Sequence, residues 1–158
     1  MDAYKDFMRN LALASRCMRT CFDLRLKALD LTLARGRILL NLVSAERPVS
    51  QAELTAFLEV EHSTAVRLFD SLEQIGYIAR LPSETDRRAK DIVLTAKGRP
   101  VADKVVEIID QMRVDVLRDI DPQELAIADR VLAQVSRNLV ALTASSAAAM
   151  APVPEPVS

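Results

Sequence analysis

Apolar residues return along this chain at the period of a helix, give way briefly to the period of a strand, and then resume the helical period to the end. From residue 4 to 28, Phe7, Leu11, Ala14, Met18 and Cys21 recur at steps of four and three, with Arg9, Arg16, Arg19, Arg25 and Lys27 elsewhere. That spacing predicts a long helix with one seam to bury. Thr32 can cap a second helix running through Ser44, which the stretch "AERPV" ends, because Pro48 lacks an amide donor and drives Arg47 out of helical dihedrals. Ser50 stands three residues before Glu53, the pattern of a capping box, so a short helix is expected from Gln51 to about Leu58, anchored by Ala52, Leu54 and Leu58. After "EVE", a helix from His62 to Ile75 carries Ala65, Leu68, Phe69 and Leu72 on one face and Ser63, Arg67, Asp70 and Gln74 on the other. Gly76 can close it with a left-handed cap.

The period then shortens. "YIARL" and "DIVLT" are β-prone and enclose a polar stretch, which predicts a hairpin with a long basic loop, "SETDRRAK". Beyond Thr95, Val101, Val105, Ile108, Met112, Val116 and Ile120 form a helical stripe to about residue 120, and Asp121 with Pro122 restarts the helix as cap and first residue. Leu125, Ala128, Leu132, Val135, Leu139 and Leu142 make a seam suited to helix-on-helix packing, and residues 146–158 read as a flexible, proline-rich tail. The fold class is mainly α with a small β-hairpin. Its middle part is a helix-turn-helix followed by a β-wing, a winged helix-turn-helix domain over 32–98.

Composition narrows the function. With 158 residues the chain has room for one compact unit, or one unit plus dimerisation arms, and with 4% aromatic residues and no Trp the apolar mass is that of packed helices. No apolar run reaches the roughly 18 to 20 residues of a membrane span, and the N-terminus lacks a secretory signal, so the expectation is a cytoplasmic protein without a membrane partner. Two cysteines four residues apart and one His assemble neither a disulfide framework nor a zinc site, and no catalytic constellation or cofactor loop occurs. No enzyme, metal or cofactor is therefore expected. The net charge of −1 gives no general attraction to nucleic acid. From Thr32 to Gly98 nine basic residues face nine acidic ones, so any DNA binding must come from focused contacts.

The helix-turn-helix reading supplies such contacts. A short capped helix and a three-residue turn would brace helix 62–75 with its N-terminal residues in a major groove. His62, Ser63, Thr64 and Arg67 are then the candidate DNA-facing residues, and Arg67 has the fork that matches guanine O6 and N7. In the loop, Arg87, Arg88 and Lys90 are placed to follow the backbone or enter a narrow minor groove, with Asp86 orienting Arg88.

The stretch "DRRAKDIVLTAKG" resembles the wing signature of the MarR family of transcriptional regulators, D-x-R followed by L-T-x-x-G, here Asp86, Arg88, Leu94, Thr95 and Gly98. "LTLARGRILLNL", "STAVRLFDSLEQIGYIAR" and the long terminal helices are similar too, and within the family the SlyA-like branch looks nearest. The resemblance implies a homodimer whose terminal helices interlock, through residues 1–31 and 99–145. It implies two winged domains on the inverted repeat of a palindromic double-stranded operator, and a cleft for a small aromatic acid or phenol that releases the DNA. It also implies that Arg67 is the helix contact and Arg88 the wing contact. A repressor acting by steric occlusion is the expected mechanism.

Other readings stand beside these. A winged-helix module that grips a protein instead of DNA fits the neutral charge and Glu59 and Glu61. Cys17 and Cys21 can pack as small hydrophobes or serve redox sensing, the latter because some members of the resembled family carry a reactive cysteine in the first helix. Gly36 in mid-helix admits either a ligand or a close helix crossing.

Overall fold

The computed structural model describes residues 2–83 and 89–149, the last four of these in backbone only. Its elements in chain order are α1 (Ala3–Leu26), α2 (Leu33–Ser44), β1 (Val49–Ser50), α3 (Gln51–Leu58), α4 (His62–Gln74), β2 (Ile78–Pro82), β3 (Lys90–Leu94), α5 (Gly98–Val116) and α6 (Pro122–Ala149). The chain divides into two compact units, Met1–Val116 and Leu117–Ser158.

Local chemistry starts each helix of the first unit. Asp23 of α1 accepts the Leu33 amide at 2.9 Å, and the Thr32 hydroxyl accepts that of Arg35 at 3.4 Å, so α2 begins with two of its orphan donors satisfied. Ser50 and Glu53 form the reciprocal capping box at the start of α3. Leu54, Leu58, Ala65, Phe69 and Leu72 of α3 and α4 enter one core with Phe22, Leu26, Ile38, Leu39, Ile78, Ile92 and Val105. Ala52, expected as an anchor, is exposed, because one turn of an eight-residue helix offers the core only its Leu54 and Leu58 edge. Gly36 is a close crossing: a Cβ there would overlap Leu26 Cδ1, and Leu26 is itself fully buried.

The sheet holds three antiparallel strands in the order β1-β3-β2, where the sequence suggests two. Val49 pairs with Ile92 and Ser50 with Asp91. A two-residue strand is too short to show a period, so β1 leaves no pattern in the sequence. Ile78 pairs with Leu94 at the base of the hairpin and Pro82 with Lys90 at its outer end.

The base of the hairpin is tied to both neighbouring helices. Gly76 ends α4 at φ 80°, and Lys97 Nζ donates to the Ile75 carbonyl at 2.7 Å, a cation on the negative end of that helix. Thr95 donates its hydroxyl to the Gly76 carbonyl at 2.6 Å and accepts the Gly98 amide at 2.9 Å, so one side chain closes α4 and opens α5. Gly98 lies against the Tyr77 backbone so closely that a Cβ would collide with the Tyr77 carbonyl oxygen. The L-T-x-x-G run is thus a packing motif: Thr95 is the shared cap and Gly98 the one residue that fits.

α5 is shorter than its stripe suggests, ending at Val116, with Asp119 in left-handed conformation at φ 63°. In the second unit α6 starts as expected, Asp121 accepting the Gln123 amide at 2.7 Å. It runs to Ala149, into the segment read as tail, while 150–158 lie outside the described residues. Leu125, Leu132, Leu139 and Leu142 of its seam are exposed, as are Phe7 and Met18 of the α1 seam. Much of both stripes is thus exposed, while Leu11 and Cys21 of α1 and Val135 of α6 are half-buried.

Two outcomes follow from this frame. Gly98→Ala should lower stability by about 3 kcal/mol or more, because the obstacle is backbone. Gly76→Ala, which meets only the flexible Lys97 side chain at 3.6 Å, should lose about 1 to 2 kcal/mol from its left-handed dihedral alone. Urea unfolding of both variants reads the order, and equal losses would contradict it. The second concerns acid. The Glu53 carboxylate accepts from Arg47 at 2.7 Å and from the Ser50 amide at 3.0 Å, and these bonds, that of Arg47 the largest, hold the Glu53 carboxyl down to about 2 from its ordinary 4.5. A depressed folded-state value means that the ionised form stabilises, so this contribution is complete above pH 4.5 and drains away as pH falls towards 2. Glu53→Gln should therefore be less stable than the parent at neutral pH, with the gap closing through that window. A gap independent of pH would show that Glu53 acts only through its shape.

Candidate nucleic-acid interface

α4 presents a polar outer face because its helical period sends Ala65, Phe69 and Leu72 into the core. His62, Ser63, Thr64 and Arg67 are all exposed. Ser63 and Arg67 are one helical turn apart on one face, and among the described residues neither these two nor Thr64 makes a side-chain hydrogen bond or ion pair. Glu61 occupies the cap position with no side-chain cap bond, so the first turn of α4 meets solvent without a side chain across it.

His62 and Lys90 fall elsewhere. Both line a groove of about 1160 Å³ between α3 and the hairpin, whose walls also carry Glu59, Leu81, Pro82 and Asp91. Lys90 is exposed at the outer end of β3. The structure thus brings Ser63, Thr64 and Arg67 to one end of α4 and sets His62 with Lys90 in the adjoining groove. Asp86, Arg87 and Arg88 lie outside the described residues.

The disposition of the other cations is informative. Arg35 donates to Ser71 at 2.5 Å, Arg37 to the Phe57 carbonyl at 2.9 Å, and Arg47 and Lys97 are engaged as above. Arg80 is the most committed. From β2 it reaches Asp70 at 2.6 Å and Glu73 at 3.0 Å, and it donates to the Val66 carbonyl at 3.4 Å, all three on α4. Its own backbone amide donates to Glu73 at 3.1 Å. One guanidinium, with its side chain only 19% exposed, fastens α4 to the hairpin. Of the described basic residues between Thr32 and Gly98, Arg67 and Lys90 alone have no protein partner.

Counting charges cannot find Arg80. The signal that could is strand parity: Arg80 shares a face with the buried Ile78, and an Arg on an inward parity requires carboxylates nearby. Asp70 and Glu73, three apart on α4, are those carboxylates.

A capped helix, a tight turn, a second helix with an exposed polar first turn and a three-stranded wing define a winged helix-turn-helix transcription regulator. The MarR family model matches residues 29–89. The crystal structure of transcriptional regulator PA3341 is 40% identical over 84% of this chain and 97% of that one, with a TM-score of 0.77. On that likeness the chain belongs to the MarR family. The same fold, at 23% identity each, is seen in S. aureus MepR in its DNA-binding conformation, covering 86% of this chain and 98% of that one with a TM-score of 0.74. It is seen also in the transcriptional regulator SlyA, covering 85% and 94% with a TM-score of 0.72. Among the described residues no helix is long and apolar enough to cross a membrane, and no group of three or more His, Cys, Asp or Glu is disposed to hold a metal ion.

Arg80→Ala should cost roughly 2 kcal/mol in urea unfolding, the loss of charge-assisted bonds to two carboxylates and a carbonyl. Arg80→Lys should recover less than half of it, because an ammonium has no planar fork with which to bridge the same three acceptors. An alanine variant as stable as the parent would show that the clamp contributes nothing.

Proposed function

We propose that this protein is a DNA-binding transcriptional repressor that acts as a homodimer on an inverted-repeat operator and is released by a small aromatic acid or phenol. The observation that carries the reading is the partition of positive charge. The fold engages Arg35, Arg37, Arg47, Arg80 and Lys97 internally and leaves Arg67, beside Ser63 and Thr64, free at the solvent end of α4. In this reading α4 lies in the major groove with Arg67 on a guanine edge, while the first-turn amides and the Ser63 and Thr64 hydroxyls meet phosphate. Lys90 at the outer end of β3 points the hairpin towards the adjacent backbone, and Arg87 and Arg88, with Asp86 orienting Arg88, complete the wing.

The exposed stripes of α1 and α6 support the dimer, since contiguous apolar faces of that length are seldom left in water. Residues 1–31 and 99–145 would supply the arms and 32–98 the reading domain. Two copies must meet half-sites about one turn of DNA apart, so a ligand that changes their spacing by a few ångströms removes affinity without touching a base pair. Occlusion of a promoter then gives repression, and the ligand relieves it.

Fluorescence anisotropy against the DNA upstream of the protein's own gene, with a selected operator pool beside it, tests the reading. Arg67→Ala should lose about 1 to 3 kcal/mol of discrimination at one base pair per half-site. Lys90→Ala should weaken all sequences alike and reduce the slope of log K against log salt by about 0.9 for each phosphate that is no longer neutralised. Sedimentation should return a dimer for both variants. Failure to bind either DNA sample, in a dimer that is intact, would overturn the proposal and direct the search to a protein partner.

A further inference from the structure

Cys17 and Cys21 are both free and lie one helical turn apart on α1, Cys17 exposed and Cys21 half-buried. Together they line a groove of about 540 Å³ whose other walls are Arg16, Thr20, Leu24 and Arg25. The helix itself decides what such a pair can do. Cβ atoms four residues apart on a helix are roughly 5 to 6 Å from each other. A disulfide needs them within about 3.5 to 4.5 Å, so the two thiols cannot oxidise to one another while α1 stays helical. A linear two-coordinate metal ion, at metal–sulfur bonds of roughly 2.3 Å, sets its sulfurs about 4.6 Å apart, which that separation accommodates.

Ligand number sharpens the choice. A tetrahedral zinc site or an oxygen-rich site needs more donors than α1 brings here, and among the described residues no third His, Cys, Asp or Glu joins the pair. Two thiolates alone suit soft ions content with two ligands. With a monovalent ion the product is an anionic bis-thiolate, and two guanidinium groups line the same groove. Arg25 is held in place by Asp115 at 2.6 Å, and Arg16 has no ion-pair partner among the described residues.

We propose that Cys17 and Cys21 form a two-coordinate site for a soft, thiophilic d10 metal ion of the Cu(I), Ag(I) or Hg(II) class. Binding exchanges two S–H bonds for two metal–sulfur bonds, releases two protons and leaves the oxidation state of the ion unchanged. It needs no DNA contact, but it requires that Cys17 and Cys21 stay open to solvent in the homodimer proposed above, whose arms include α1.

The test is a titration of the reduced, full-length protein with Cu(I) under anaerobic conditions against a competing chelator, with Zn(II) in parallel. The expected result is one Cu(I) per chain by native mass spectrometry, thiolate-to-metal charge-transfer absorption, and protection of both thiols from a thiol reagent. Cys17→Ser and Cys21→Ser should each weaken binding on the order of a hundredfold or more, since one thiolate is removed from a two-ligand site. Cys21 is half-buried, so Cys21→Ala is carried beside it, and thermal melts confirm that the variants fold. A single variant that keeps the parent's affinity would overturn the site, as would an ion bridging two chains or a preference for Zn(II) over Cu(I).

Discussion

A single guanidinium holds α4 and the hairpin as one body. Arg80 spans Asp70, Glu73 and the Val66 carbonyl from the neighbouring strand, a tie along the flank of α4 that adds to the Thr95 and Lys97 bonds at its C-terminal end. The arrangement also sets the electrostatics of the surface. Two carboxylates on the flank of α4 would repel an anionic partner; Arg80 offsets one of their two charges, and the basic side chains left without a protein partner among the described residues of 32–98 are Arg67 and Lys90. A neutral sequence thereby yields a face with a defined positive point. This explains how a chain of net charge −1 can carry a focused cationic spot.

Much of this was legible in the sequence because it rests on local chemistry. Ser50 and Glu53 announce α3, Thr32 announces α2, Asp121 and Pro122 announce α6, and Gly76 marks the end of α4, each through a bond or dihedral confined to a few residues. The wing signature was legible as a resemblance, and the structure supplies its physics in the Thr95 cap and the Gly98 approach to Tyr77. The exposed positions of Ser63, Thr64 and Arg67 follow from the helical period, and their role belongs to the proposal.

What was not legible depends on residues distant in the chain. β1 is two residues long and exists because β3 is there to receive it. Ala52 fits the periodic pattern but falls outside the core, since a helix this short touches its neighbours along one edge. Arg80 looks like any surface charge until the strand's parity is set against the carboxylates of α4. Gly36 admits two readings until Leu26 is seen occupying the space its side chain would need.

The knot of Thr95, Gly98 and Tyr77 has a mechanical meaning. Hairpin, α4 and α5 converge on it with no flexible joint, and α5 runs from there for 19 residues to the neighbourhood of the Arg25–Asp115 bridge. At a helical rise of 1.5 Å per residue this is a rigid arm of about 28 Å. A tilt of about 5° at the bridge displaces its other end by roughly 2.5 Å. The chain thus contains a lever, with the hairpin fixed to its far end, that turns small rotations at the Arg25–Asp115 bridge into ångström-scale movements of the hairpin and α4.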